Sequence, residues 1–293
     1  MIPSRSASTR KAAARVDRLG QSAGVIESWW VLSVFMRLAT FNILHGRSPA
    51  DGLVDLTRLA DAVRTLDADV LALQEVDRLQ ERSQLADLTT VAAAAMGAVS
   101  HRFVAALSGT PGATWMAATG TELPGTAAYG ISLLSRYPAT GWQVLRLPRI
   151  PVRFPMWLPG PRKVIVVHEE PRSVIIGQFS TPAGPLVVAN THLSFVPGWG
   201  RRQLTRMRRD LAAFADPVVA MGDLNMPSPR PAAITGYRSL AEHPTFPLEQ
   251  PDRQLDHIIL LRGDFGAVLG SSAPELPLSD HRALVVDLAV GTG

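Results

Sequence analysis

The sequence predicts an α/β (α+β) domain in which β-sheets are layered and helices lie outside them. Short apolar runs bounded by turn residues recur along the chain, the mark of buried strands. Segments with helical apolar spacing fall between some of these runs. Strand–strand hairpins coexist with helix–strand units, which fits layered sheets better than a single parallel sheet. With 293 residues and 46% hydrophobic content, the chain can build a sizeable core.

Residues 1–24 are rich in Ala, Ser and Arg and have little to bury, so they read as disordered. Residues 28–36 (S-W-W-V-L-S-V-F-M) are apolar but far short of the ~20 residues that span a bilayer. Glu27 and Arg37 flank this run, which disfavours a signal peptide. Met36 directly precedes the first clear strand. Residues 1–35 are therefore expected to be a disordered or non-native extension, and 36–293 a single domain.

The elements follow in order. Residues 38–44 (L-A-T-F-N-I-L) read as a strand. Residues 53–66 carry Leu56, Leu59, Ala60 and Val63 at helical spacing. A second strand, 70–73, ends in Gln74-Glu75, and an Ala-rich helix, 85–96, is stopped by Gly97. Residues 101–107 form a strand, 108–125 a loop rich in Gly, Thr and Ala, and 129–135 another strand. Residues 147–162 hold Pro148, Pro151, Pro155, Pro159 and Pro161, too many for a helix or a central strand. That segment, with Met156 and Trp157, reads either as a flap or as an irregular packed loop. Residues 172–179 and 186–190 predict a hairpin, and 200–214 a helix with Leu204, Met207, Leu211 and Phe214 on one face. The arginines of that helix (Arg201, Arg202, Arg206, Arg208 and Arg209) form a solvated face that also permits DNA contact. The apolar run 218–221 is a short buried strand, and 255–261 and 283–290 are the last strands.

Composition narrows the chemistry. There are no cysteines, which excludes disulfides, thiolate nucleophiles and Cys-ligated metals. The net charge of +4 comes entirely from the first 18 residues, so residues 19–293 sum to zero. Net charge therefore does not call for a polyanionic partner.

Polar residues collect at the strand ends. Asn42 lies in the first strand, and Glu75 ends the second. Asn190 and His192 end V-V-A-N-T-H-L, and Asp223 and Asn225 follow the run 218–221. Asp256-His257 sit in the strand 255–261, and Ser279-Asp280-His281 precede the last. One such residue is ordinarily a cap or a structural histidine. This many carboxylate, amide and imidazole groups, all expected on one rim, suit hydrolysis of a phosphate ester. Hard oxygen ligands favour Mg2+ or Mn2+ over zinc. Phosphoryl transfer needs a positioned water and neutralised phosphate oxygens, which Asp, His and Asn can supply beside a metal.

The motifs T-F-N-I-L (40–44), L-Q-E-V (73–76), Y-G-I-S-L-L-S-R-Y-P (129–138), T-H-L (191–193), G-D-L-N (222–225), L-D-H-I (255–258) and S-D-H (279–281) occur in that order. In these the chain resembles the endonuclease/exonuclease/phosphatase superfamily, the DNase-I-like metallophosphoesterases. The resemblance implies a four-layer α/β/β/α sandwich, two packed mixed β-sheets with helices outside. It implies Glu75 as main metal ligand, with Asn42 beside it and Asp280 near the metal. Asp223 would orient or deprotonate the attacking water, and Asn225 would donate to a phosphate oxygen. His281 would contact the phosphate with its ring held by Asp256, and His192 would contact phosphate or leaving group. Tyr129 fits either the site or plain packing. Arg172 fits either a phosphate contact or a surface ion pair, and no function attaches to Ser132.

The resemblance leaves the substrate open. The expected partner is a phosphoester, whether nucleic acid, lipid headgroup or small molecule, and nuclease-type phosphodiester hydrolysis is the leading expectation. A sphingomyelinase-like lipid phosphodiesterase, an inositol-phosphate phosphatase and a non-catalytic binding protein on the same fold are the alternatives. A monomer in the cytoplasm is expected.

Overall fold

The computed structural model describes residues 33–111, 114–123, 125–150, 154–158, 163–167, 169–196 and 198–291. The strand β1 (Ser33–Asn42) precedes α1 (Leu56–Leu66), β2 (Val70–Arg78), α2 (Leu88–Met96), β3 (Ser100–Gly109), β4 (Trp115–Ala117) and β5 (Ala128–Ser135). Next come β6 (Ala139–Arg146), β7 (Phe154–Leu158), β8 (Lys163–Val167), β9 (Ser173–Thr181), β10 (Gly184–His192) and α3 (Trp199–Leu211). The chain ends with β11 (Val218–Asp223), α4 (Arg230–Thr235), β12 (Arg238–Ser239), β13 (Asp256–Arg262), β14 (Ala267–Ser272) and β15 (Leu284–Gly291).

Two mixed sheets result, with strand orders β14-β15-β1-β2-β5-β3-β4 and β12-β13-β11-β10-β9-β6. Residues successive along a strand point to opposite faces, so each central strand feeds two cores. Leu38, Ala72 and Leu133 of the first sheet meet Val188, Met221 and Ile258 of the second. Phe41, Leu71 and Leu73 instead pack on Leu59 and Val63 of α1 and Ala92 of α2. Val187, Ala189 and Ala220 pack on Leu204, Met207 and Leu211 of α3. The molecule is therefore the four-layer α/β/β/α sandwich expected. Both central helices of the first layer begin on a carboxylate cap, Asp55 for α1 and Asp87 for α2, each accepting from two backbone N–H groups.

Several boundaries differ from the sequence reading. β1 begins at Ser33, where Ser33–Phe35 pair with Gly291–Ala289, ahead of the boundary expected at Met36. Residues 1–32, on which the expected extension mostly falls, lie outside the described residues. The proline-dense segment contains strand structure: β7 pairs with β8 in a sheet of two strands. Pro155 is tolerated within β7 because this pair joins neither main sheet. β4 interrupts the expected loop 108–125, pairing with β3. No helix among the described residues is long and apolar enough to cross a membrane.

Candidate active site

Strand direction and alternation bring the polar strand ends together. β1 and β2 are parallel, as are β10 and β11, so within each sheet two C-terminal ends reach the same rim. Ala39 and Phe41 face the helices, which leaves Asn42 on the side between the sheets. His192 and Asp223 stand in register on neighbouring strands, and Asp256 opens β13 directly opposite Asp223. The rim lines a cleft of about 500 Å³ that Glu75, Tyr129, His192, Asp223, Asn225 and His281 all reach.

Two site residues depart from regular strand geometry. Alternation would turn Glu75 toward the helices. A bulge between Leu73 and Val76, with φ of 56° at Glu75, redirects it to the rim. Asn225 has φ of 50° just beyond β11; its backbone N–H donates to Asp223 Oδ1 at 2.9 Å and its Nδ2 to the Leu193 carbonyl at 3.0 Å. Left-handed backbone at non-glycine residues costs ~1–3 kcal/mol, and here it falls on site residues.

Asn42 ties the two halves. Its Nδ2 donates to Glu75 Oε1 and to Asp223 Oδ2, each at 3.1 Å, while its Oδ1 accepts from the Leu44 N–H at 3.2 Å. That oxygen keeps one lone pair for a cation. The S-D-H turn is pinned to the same strand end: Ser279 donates through Oγ to the Asn42 carbonyl at 2.6 Å, and the His281 N–H donates to Ser279 Oγ at 3.1 Å. His281 Nδ1 lies 2.8 Å from Asp256 Oδ2, and Phe246 packs against the ring at a centroid distance of 4.9 Å. Thr245 Oγ1 accepts from the Asp256 N–H at 3.2 Å, which fixes the start of β13.

Burial and crowding set the protonation states. Burial and the charge of Asp256 push Asp223 up to about 7, against the pull of His281. Burial, with Asp280 and Glu170 adding to it, also raises Glu75, while the Asn42 hydrogen bond opposes. For His281 burial acts downward, but the charge and hydrogen bond of Asp256 win and carry it to about 10. Burial, then Arg172 and His281, lowers His192 well below the usual histidine range. The 3.4 Å approach of His192 Nε2 to Asp223 Oδ2 is therefore a neutral ring beside a carboxylate, not an ion pair. Burial and the nearby Glu75 raise Tyr129 well above the usual range, so its phenol keeps its proton.

The donor set fits a hard divalent cation. Oxygens of the Asp223 and Asp256 carboxylates lie within 4.8 Å of each other beside the His281 imidazolium, which is itself no metal ligand, and Asp256 Oδ1 is buried with no hydrogen-bond partner. Among the described residues the Glu75 carboxylate has one side-chain donor, Asn42. Desolvated carboxylates crowded in this way lose most of their cost when a divalent ion joins them.

Other residues enter or leave the picture. Arg82 reaches the cleft from the turn after β2, gripped through Nε and Nη2 by buried Asp77 at 2.8 Å each and lying 5.6 Å from the Tyr129 ring centre. His45 and Glu170 also line the cleft. No motif announced these three, since each comes from a turn or loop whose position only the packing sets. Arg172 does reach the cleft, 6% exposed and 4.0 Å from Glu170. Asn190, counted among the rim residues, is instead a buried tie between sheets: it accepts from Gln74 Nε2 at 2.7 Å and donates to the carbonyls of Leu73 and Ser132 at 2.9 and 2.7 Å. His257 points away, its Nε2 2.8 Å from the Met226 carbonyl.

Comparison with known proteins bears on this geometry. The model of the Endonuclease/Exonuclease/phosphatase family matches residues 39–281. No curated protein matches the sequence. Among solved structures, an endonuclease/exonuclease/phosphatase from Beutenbergia cavernae DSM 12333 is 24% identical with a TM-score of 0.62, covering 88% of this chain and 72% of its own. The mannosyl-6-phosphatase Bt3783 of Bacteroides thetaiotaomicron is 15% identical with a TM-score of 0.61, over 86% of this chain and 98% of its own. The human Nocturnin catalytic domain with bound sulfate is 17% identical with a TM-score of 0.56, over 88% and 97%. At these identities the likeness is one of fold.

Proposed function

Because this chain belongs to the Endonuclease/Exonuclease/phosphatase family, whose members are metal-dependent phosphoric ester hydrolases, we propose that it cleaves phosphodiesters by attack of a water held by Asp223. The observation that carries this reading is the placement of Asp223: buried, fixed by Asn42, facing His192 at 3.4 Å and His281 at 3.9 Å, with its proton affinity raised to about 7. A base whose pKa lies near the working pH takes a proton from water most effectively.

Each neighbour has a part in that reaction. The water oxygen bonds to phosphorus as its proton passes to Asp223. The ester P–O bond breaks, and the departing oxygen takes a proton from solvent. His281 is cationic at neutral pH and faces the phosphoryl oxygens with its free Nε2, while Asp256 holds Nδ1. Neutral His192 donates one N–H to a phosphoryl or leaving oxygen. Asn225 keeps its second amide hydrogen for the phosphate, the first being taken by the Leu193 carbonyl. Tyr129, still protonated, is a further donor at the cleft wall. Glu75, Asn42 and Asp280 are the residues that would hold Mg2+ or Mn2+, with the carboxylates of Asp223 and Asp256 close by. The bound cation supplies the positive charge that neutralises the phosphate.

The deciding experiment is a hydrolysis panel with Mg2+ or Mn2+: a chromogenic phosphodiester, plasmid and abasic duplex DNA, RNA, sphingomyelin, inositol phosphates and mannose 6-phosphate. Turnover of the diesters, abolished in Asp223→Ala and His281→Ala with folding retained, supports the reading. Turnover of phosphomonoesters alone, or unaffected hydrolysis in both variants, refutes it. The sphingomyelin arm tests the lipid alternative, and the inositol and mannose phosphates test the monoesterase one.

A further inference from the structure

Helix α3 presents an arginine row that its own fold does not neutralise. Arg201, Arg202, Arg206 and Arg209, with Arg146 and Pro148 at the end of β6, line a groove of about 780 Å³. Among the described residues, only Arg206 has a carboxylate partner there, Asp210 at 2.6 Å. Arg202 lies 4.8 Å over the Trp199 ring, and among the described residues the side chains of Arg201 and Arg209 make no ion pair or hydrogen bond. Arg202 and Arg206 are four residues apart on one face, a like-charge pair that costs a few tenths of a kcal/mol. The first turn of α3 holds Arg201 and Arg202 and no acidic residue, opposite to what the positive end of a helix favours. The neutral net charge of residues 19–293 hides this segregation.

The walls of the groove and of the cleft are tied to each other. The Leu147 N–H donates to the carbonyl of Arg172, which lines the cleft, at 2.9 Å. Gln203 of α3 bridges the two walls, its Nε2 donating to the Pro148 carbonyl and its Oε1 accepting from the Ser194 N–H. Next to Ser194, Phe195 lines the cleft and is 45% exposed. A charged groove tracking a backbone, with an exposed aromatic ring on which a base can stack, is how proteins hold single-stranded nucleic acid.

We infer that the α3 groove is a track for the sugar–phosphate backbone of single-stranded nucleic acid and feeds the strand past Phe195 into the cleft. This names the substrate class of the phosphodiesterase proposed above and rests on that reading. The groove is spaced along a helix face and solvated, which suits a flexible strand. Duplex DNA and anionic membranes are the rival occupants that the test must exclude.

The test is fluorescence anisotropy of the full chain with a labelled oligodeoxynucleotide, in chelator so that no cleavage occurs. The variant Arg201→Ala/Arg202→Ala/Arg209→Ala should bind the single strand at least ~10-fold more weakly, and the slope of log K against log salt should shrink by about 2, from three phosphate contacts at ~0.7 each. Arg209→Gln alone, a change at one exposed position, should shrink it by about 0.7. The triple variant should turn over a small chromogenic diester at the wild-type rate. Unchanged affinity and slope would overturn the inference, as would tighter binding of duplex, or a loss seen with phosphatidylserine vesicles but not with the oligonucleotide. Failure of the wild-type chain to cleave the small diester would refute the catalytic reading, while the anisotropy still decides the groove.

Discussion

Asp256 and His281, 25 positions apart in sequence, meet with Oδ2 and Nδ1 separated by 2.8 Å in a buried setting. The carboxylate fixes the ring's orientation and holds it cationic, with a pKa carried to about 10 despite burial. A histidine whose folded pKa lies above its ordinary 6.5 stabilises the fold fully below that value and loses the contribution as pH rises through about 10. The stability difference between wild type and His281→Gln should therefore be level below pH 6.5 and narrow toward pH 10, as read by urea unfolding at a series of pH values. A difference that widens with rising pH would contradict the pairing. In Asp256→Asn the ring should titrate lower by NMR, and turnover should fall by ~10²–10⁴-fold.

Asp223→Asn removes the proposed base and a costly buried charge together. Turnover should drop by ~10²–10⁴-fold with little change in KM. Thermal unfolding should stay level or move upward, because a desolvated carboxylate is lost. Equal turnover in the two proteins would remove Asp223 from the mechanism.

Glu75→Gln and Asp280→Asn should weaken Mn2+ binding by at least ~10-fold in isothermal titration calorimetry. Asn190→Leu, which alters the inter-sheet tie and not the donor set, should bind Mn2+ as wild type does. Chelation should abolish phosphodiester turnover, and restoring Mg2+ or Mn2+ should return it.

Gly222 carries a separate stability prediction. Its φ is 141°, and a Cβ placed there would lie 1.9 Å from the Thr191 carbonyl oxygen of the adjoining parallel strand. Gly222→Ala should destabilise by roughly 2–4 kcal/mol through strain and overpacking. Chemical denaturation measures this, and a loss under about 1 kcal/mol would mean that β10 and β11 separate easily.

Asn190→Leu should cost a similar amount, roughly 2–4 kcal/mol, for a different reason. It takes from Gln74 Nε2 its closer acceptor and from two buried carbonyls a donor. The denaturant slope should stay unchanged, since the fold and its buried surface are the same.

The sequence by itself determined the layers and most of the residues of the candidate site. Short apolar runs bounded by turn residues, and helix faces such as Leu204, Met207 and Leu211, are local patterns, and they located the central strands and α1 to α3. Asp223, His192 and Asn42 were legible because each ends a run of core residues whose alternation already dictates its face. Only the tertiary structure decided the rest, because those features depend on partners distant in sequence. Asn190 and His192 differ by two positions on one face, yet one ties the sheets and the other lines the cleft, according to where the first sheet ends across from them. Glu75 reaches the rim through a bulge that no alternation rule contains. Arg82 and His45 arrive from turns. The arginines of α3 looked like an ordinary solvated face, and their groove exists only because the end of β6 packs beside them. Local periodicity fixes which side of an element is buried. What a polar residue then does depends on which other element stops within hydrogen-bonding reach, and that is settled only when the two sheets close on each other.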